Sequence, residues 1–234
     1  MEIPEFTLIG FLTVYVVQGL VFLFFVTIAY KILKRDAKNE NFMLSMFFIS
    51  AATGFFINFI YALLVDELVV LILYYLTLFF IFLSPIFFLI FNILILKSKV
   101  KFNRKKQYTL IIIYAVILLG ILMIPNGVKI NEQTGWRPIW SFNLFIYLII
   151  IVTFFAVGPG LALSFKIFRK FRDTEIKQRW SCYLIGMCFL SVLMYAIMFA
   201  NYSNYEPLRM VIGFFGIVLS ITGGLLIYMG MARI

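Results

Sequence analysis

Residues 68–96 read LVVLILYYLTLFFIFLSPIFFLIFNILIL, a run of 29 residues with no Asp, Glu, Lys, Arg or His. A helix needs about 20 apolar residues to cross the hydrocarbon core of a bilayer, so this run is long enough to span one. At about 1.5 Å per residue the helix would be about 43 Å long, so it must tilt or protrude. The stretch predicts a transmembrane helix and, with it, a membrane protein.

The composition extends this prediction to the whole chain. Apolar residues make up 64% of the 234 residues, and charged residues make up only 13%. A soluble domain needs a polar surface that so few polar residues cannot supply. We therefore interpret residues 1–234 as a single multi-pass domain in the cell membrane.

Seven apolar segments come near or above the spanning length. They lie at about residues 8–32, 42–65, 68–96, 108–125, 142–168, 181–201 and 208–231. Asp66 and Glu67 predict a tight hairpin between the second and third segments, and Pro125-Asn126-Gly127 ends the fourth. The predicted fold is an all-α, seven-transmembrane-helix bundle.

The basic residues indicate how the bundle is oriented. Of the 20 Lys and Arg residues, only Lys129, Arg137 and Arg209 fall on the side that carries the N-terminus. The other seventeen are Lys31, Lys34, Arg35, Lys38, Lys97, Lys99, Lys101, Arg104, Lys105, Lys106, Lys166, Arg169, Lys170, Arg172, Lys177, Arg179 and Arg233. Because loops rich in Lys and Arg stay in the cytoplasm, we predict an outside N-terminus and a cytoplasmic C-terminus.

The same charges bear on the partners. A net charge of +10 would suggest nucleic acid in a soluble protein, but here the charges orient the helices. The predicted partner is membrane lipid, with the basic side against the anionic inner leaflet, and no nucleic acid is expected. The alternative is a specific contact with a cytoplasmic signalling protein, for which the candidate coupling residues are Arg104, Lys105, Lys106, Arg169, Lys170 and Arg172.

The interior of the spans, away from their ends, contains no Asp, Glu, Lys, Arg or His. Ion pumps, proton-coupled transporters and voltage sensors usually keep one there, so these classes are disfavoured. The chain has no His and no Gly-x-Ser-x-Gly motif, and residues 208–231 have no Lys to carry retinal. We therefore expect no enzyme activity, no metal site and no cofactor.

Six residues are candidates for a ligand pocket near the predicted outer surface: Trp136, Arg137, Trp140, Tyr147, Tyr195 and Asn201. The first three lie in the outer loop, residues 126–142, and the others in the outer halves of spans 5 and 6. A ligand arriving from outside would meet them there. An aromatic belt and hydrogen bonds between helices account for the same residues without a ligand.

The tripeptide Gly158-Pro159-Gly160 interrupts span 5. Pro159 has no N–H for the carbonyl of Phe155, so a bend is predicted there. The bend is either a static fit to the bundle or a hinge through which the outer half of the span moves residues 166–172.

Small residues recur at intervals of four on two spans. Span 5 has Ala156, Gly160 and Ser164, and span 7 has Gly216, Ser220 and Gly224. This spacing lets helix backbones approach closely, either within one bundle or between the two copies of a homodimer.

Several short stretches carry a resemblance. They are LSPIFFLIF at 83–91, MIP at 123–125, GWRPIWS at 135–141 and EIKQRWSCYLIG at 175–186. With seven spans and an outside N-terminus, the chain resembles the seven-helix sensor regions at the N-terminus of prokaryotic histidine kinases and related signalling proteins. The resemblance implies a receptor-like sensor in signal transduction, which passes an external or membrane cue to a cytoplasmic output.

Such sensor regions normally precede an output module, and the chain stops at Met231-Ala232-Arg233-Ile234. It is therefore either a separate receptor-like subunit or part of a longer protein. A small-molecule or lipid transporter is the alternative function, although span 5 has no convincing broken counterpart in spans 1 to 3. A structural subunit of a membrane complex is a further one.

Overall fold

The computed structural model describes residues 12–35, 38–97 and 102–231, and within them lie seven helices long and apolar enough to cross a membrane. This confirms the predicted number of long apolar helices and the all-α class. The helices are α1 (Gln18–Arg35), α2 (Asn39–Tyr61), α3 (Glu67–Leu96), α4 (Arg104–Leu119), α5 (Phe142–Lys170), α6 (Thr174–Ser203) and α7 (Glu206–Met231). The predicted start of span 1 at residue 8, and the basic residues Lys99, Lys101 and Arg233, lie outside the described residues.

Two of the helices begin earlier than hydropathy predicts, because polar caps precede their charged first turns. The side chain of Asn103 accepts the N–H of Lys106 at 3.1 Å, so α4 begins at Arg104. The side chain of Asp173 accepts two N–H groups, and α6 begins at Thr174. Side-chain caps satisfy the donors that a helix start leaves free, which is why the charged turns are helical.

Helix α3 lies at the centre of the bundle. Of its most apolar window, 72% is buried inside the protein, against 22% for α4. It packs against α2, α4 and the second half of α5, and every residue from 82 to 92 is buried. Helix α3 is therefore the most buried of the seven helices.

The two ends of the bundle differ. The end where Lys34, Arg35 and Lys170 lie is called the basic end, and the end with the turn at 62–66 is called the loop end. At the loop end, β1 (Val128–Lys129) pairs antiparallel with β2 (Ile139–Trp140). We call residues 128–140 the ribbon segment; it was not anticipated in an all-α chain.

The perturbation in α5 takes the form of a π-turn at Thr153–Val157. The N–H of Gly158 bonds the carbonyl of Thr153, five residues back. A Cβ at residue 158 would lie 2.6 Å from that carbonyl oxygen, so the turn requires glycine there. Pro159 follows without an N–H to donate, which explains why the regular hydrogen-bond ladder is broken at this place.

The small residues of α5 and α7 are covered within one chain. Ala156 and Ser164 are fully buried, and Gly160 approaches the backbone of α3, where a Cβ would lie 3.9 Å from Leu89 Cα. A Cβ at Gly216 would meet Leu193 of α6, one at Gly224 would meet Phe24 of α1, and Ser220 is buried. The predicted close approach is therefore met inside the bundle, and the homodimer stays a prediction.

The tightest contact between α6 and α7 involves glycines that the sequence reasoning did not single out. A Cβ added to Gly186 would lie 2.5 Å from the carbonyl oxygen of Gly223. One added to Gly230 would lie 2.7 Å from the carbonyl oxygen of Arg179. These glycines allow the two helices to pack backbone to backbone along the hairpin.

Candidate functional site

A cavity of about 670 Å³ opens between α1–α3 on one side and α6–α7 on the other. It extends from the ribbon segment to the middle of the bundle, where Ala156 and Val157 of the π-turn line it. A volume of this size is typical of sites for small molecules, which also share its mostly apolar lining.

The deep part of the cavity is apolar. Its lining there includes Phe25, Phe47, Pro85, Phe88 and Met187. Phe88 lies eight residues before the end of α3, so the lining stops roughly 12 Å short of that helix end.

A packed layer separates the cavity from the basic end. Ile90, Phe91, Trp180 and Tyr183 in this layer are at most 1% exposed. The indole of Trp180 stacks on Phe91 at 6.3 Å and contacts Tyr183 at 4.8 Å between ring centroids. In the described part of the chain this layer closes the cavity on the side of the basic end.

The packed layer also contains a network of buried hydrogen bonds around Asn92, which is 0% exposed. Its amide donates to the carbonyl of Gly160 at 2.9 Å and accepts from the hydroxyl of Tyr183 at 3.0 Å. The indole N–H of Trp180 donates to the carbonyl of Ser164 at 2.9 Å. The network ties α3 and α6 to the part of α5 that follows the π-turn.

At the loop end, charged side chains line the mouth of the cavity. Arg137 of the ribbon segment forms an ion pair with Glu206 at the start of α7. Arg209, one turn further along α7, donates to the carbonyls of Pro138 at 2.6 Å and Ala200 at 3.3 Å. The ribbon segment is therefore fastened to α7 by one ion pair and one charge-assisted hydrogen bond.

Trp140 anchors the other end of the ribbon segment. It is 3% exposed, and its indole N–H donates to the hydroxyl of Tyr74 at 2.6 Å. Its ring packs edge-on against Phe82 at 6.1 Å, and Tyr74 packs edge-on against Tyr61 at 5.7 Å. Because the hydrogen bond and the rings fix Trp140 from both sides, the ribbon segment has one firm attachment to α3.

Two polar features lie on the wall below the mouth. Gln18 of α1 and Asn58 of α2 are hydrogen-bonded to each other, and both line the cavity. Thr77 of α3 lines it as well and is 4% exposed, yet its hydroxyl has no hydrogen-bond partner within the described part of the chain. A buried polar atom without a partner is uncommon in proteins and is energetically unfavourable.

The structure separates the six candidate pocket residues into two groups. Those that line the cavity are Trp136, Arg137, Trp140 and Asn201. Tyr147 instead donates to the carbonyl of Ile117, near the end of α4. The hydroxyl of Tyr195 lies 2.7 Å from that of Thr153, at the start of the π-turn.

Arg209 and Glu206 were not among the candidates, although both line the mouth. Their position in the sequence could have identified them as candidates. Both lie within the first turn of α7, at the same predicted depth as the outer loop that carries Arg137.

The six candidate coupling residues lie at the basic end. Arg104, Lys105 and Lys106 form the first turn of α4, and Arg169, Lys170 and Arg172 lie at and just beyond the end of α5; all six are exposed. The guanidinium of Arg169 lies 4.6 Å from the ring centroid of Phe165, a cation–π contact.

Within the described residues, no three His, Cys, Asp or Glu side chains are grouped so that they could hold a metal ion. Comparisons with protein-family models, with curated proteins and with solved structures find no match to this chain.

Proposed function

We propose that the protein is a receptor-like membrane sensor that binds a small, largely apolar molecule in the cavity and relays its presence to the basic end. The observation that carries the proposal is the cavity itself. It is accessible from the loop end, lined by apolar side chains and closed below by the layer around Asn92.

The relay runs through α5. Ala156 and Val157 of the π-turn line the cavity, so a bound molecule touches the place where the α5 hydrogen-bond ladder is already broken. Beyond the π-turn, Gly160 is bonded to Asn92, and the helix continues to Arg169 and Lys170. π-turns in helices occur frequently at functional sites, which fits a hinge at this position.

A transporter is the competing function. A transporter would open to each end in turn, and here the packed layer of Ile90, Phe91, Trp180 and Tyr183 closes the basic end. A measurement of transport therefore has to separate the two functions. The positive-inside prediction gives the proposed direction of signalling, from an outer loop end to a cytoplasmic basic end.

Binding is tested with radiolabelled hexadecanol and hexadecanoate on the chain reconstituted in nanodiscs. Ala51 lines the cavity and is 5% exposed, so Ala51→Phe fills part of the volume. We expect it to lower the binding of both probes by about tenfold or more, which corresponds to about 1.4 kcal/mol. The matched control is Ala162→Phe, on an exposed face of α5, which should bind normally.

The relay is tested at the basic end. In a Cys182→Ser, Cys188→Ser background, Lys170→Cys is labelled with a maleimide with and without each probe. A labelling rate that changes with ligand, and does not change in Ala51→Phe, supports the sensor. The proposal fails if neither probe binds in the cavity, or if liposomes containing the protein carry a probe across without any change at Lys170→Cys.

A further inference from the structure

The charges that line the cavity are confined to its mouth. Among the described lining residues the only charged ones are Arg137, Glu206 and Arg209, all at the loop end. Deeper lining positions such as Phe25, Phe47 and Phe88 are apolar. The lining therefore changes from charged at the mouth to apolar in the deep part. A molecule that matches this lining has a charged or polar head near the ribbon segment and an apolar chain directed toward the π-turn.

The two arginines of the mouth are not equivalent. Arg137 is neutralised by its ion pair with Glu206. Arg209 donates only to the carbonyls of Pro138 and Ala200, and among the described residues no carboxylate lies within ion-pair distance of it. Glu206 attracts it from a longer distance while forming its direct pair with Arg137. Two of the five guanidinium N–H groups are thus used by neutral acceptors that hold the side chain in place but leave its charge.

The position of Arg209 makes its charge accessible to a ligand in the cavity. Partial burial also makes an unpaired charge energetically unfavourable there. The side chain is half-buried, lines the cavity and lies beneath the backbone of Pro138 in the ribbon segment. A partly desolvated guanidinium attracts an anion strongly, and a carboxylate matches its planar geometry. A cationic head group would be repelled at the same place.

From these observations, and on the basis of the function proposed above, we infer that the ligand is an anionic amphiphile whose head group pairs with Arg209 while its apolar chain fills the cavity as far as the π-turn. A free long-chain carboxylate and an anionic membrane phospholipid share this chemistry.

The test compares chains that differ only in the head group. Binding of hexadecanoate, hexadecanol and hexadecyltrimethylammonium to the reconstituted chain is measured in parallel. We expect hexadecanoate to bind about tenfold or more tightly than hexadecanol, because a charge-assisted hydrogen bond is roughly twice as strong as a neutral one. Arg209→Gln should abolish this preference, so that hexadecanoate and hexadecanol bind with equal affinity.

The controls distinguish the effect of the Arg209 charge on binding from the effect of the overall positive charge of the loop end and from the effect of misfolding. Lys129→Gln removes a positive charge from an exposed site of the loop end that is not among the cavity-lining residues, and the preference should persist. Arg209→Lys keeps the charge and should retain part of the preference. Saturable binding of hexadecanol by Arg209→Gln shows that the cavity is still formed.

Competition with phosphatidylglycerol identifies the source of the anion. Displacement of hexadecanoate by this lipid assigns the ligand to the membrane, and lack of displacement assigns a free single-chain carboxylate. Equal binding of hexadecanoate and hexadecanol, stronger binding of the cationic chain, or a preference that survives Arg209→Gln would overturn the inference while leaving the cavity and its proposed function intact. Failure of every chain to bind would instead overturn the proposed function.

Discussion

The hydroxyl of Thr77 is buried without a hydrogen-bond partner among the described residues. Removing it tests whether this buried hydroxyl lowers the stability of the ligand-free protein. We expect Thr77→Val to raise the free energy of unfolding by about 1 kcal/mol, because a desolvated hydroxyl without a hydrogen bond is destabilising. The measurement is thermal unfolding of the delipidated protein in detergent.

Thr53→Val is the matched control, because the hydroxyl of Thr53 donates to the carbonyl of Ile49 at 2.9 Å. That variant loses a hydrogen bond and should be neutral or slightly less stable. A clear loss of stability in Thr77→Val would mean that its hydroxyl is bonded to a retained molecule, and would direct attention to lipid that remains after purification.

Gly186 sets the distance between α6 and α7. A methyl group there would lie 2.5 Å from a backbone oxygen that cannot move aside easily. Gly186→Ala should therefore lower the free energy of unfolding by about 1–3 kcal/mol, the usual range for overpacking.

The comparison is Gly19→Ala in α1, where a Cβ would have its nearest neighbour, Phe59, at 3.9 Å. Alanine is the better helix former, so this variant should be as stable as the parent or slightly more stable. Equal melting temperatures for the two variants would show that the α6–α7 contact is looser than the geometry indicates.

At the scale of elements, the π-turn of α5 makes separate predictions for its glycine and its proline. Gly158→Ala places a methyl group 2.6 Å from the carbonyl oxygen of Thr153 and should destabilise the protein by about 1–3 kcal/mol. Pro159→Ala only restores a backbone donor. The contacts of Gly160 with Asn92 and Leu89 hold the following helix in register, so we expect near-parental stability.

The two variants also separate a hinge from a static bend. If the turn is a hinge, Pro159→Ala should weaken the ligand-dependent labelling of Lys170→Cys while the binding of hexadecanoate stays within about twofold of the parent. An unchanged labelling response would leave Pro159 with a purely structural role.

For the molecule as a whole, the prediction is its orientation. Seventeen basic residues lie on one predicted side and three on the other, so the basic end should be cytoplasmic. In intact cells, a membrane-impermeant maleimide should label Lys129→Cys at the loop end, and should label Lys170→Cys only after permeabilisation. Both variants are made in the Cys182→Ser, Cys188→Ser background. The reverse pattern would invert the proposed direction of signalling.

The number of long apolar helices was accessible from the sequence for a simple reason. Spans are local features of hydropathy, and a run such as 68–96 has no other stable environment than lipid or protein. The charged first turns of α4 and α6 were missed because hydropathy is blind to the caps at Asn103 and Asp173.

The site was harder to predict, because it depends on which way each side chain faces. Helix α6 is apolar on most of its surface, so nothing local distinguishes the face of Asn201, which lines the cavity, from that of Tyr195, which bonds to α5. The ribbon segment depends on the pairing of Val128 with Trp140, a contact between residues distant along the chain. The place of Arg209 at the mouth likewise depends on its contact with Pro138 of the ribbon segment, which is distant along the chain.

The fastening of the ribbon segment to α7 has a consequence for the timing of ligand exchange. Arg137 and Glu206 are 40% and 47% exposed, so dissolved salt weakens their attraction in the closed protein. A molecule that enters or leaves past the ribbon segment must wait for this pair to separate. Residence times should therefore shorten as ionic strength rises, which would be measured as faster release of bound hexadecanoate at higher salt concentration.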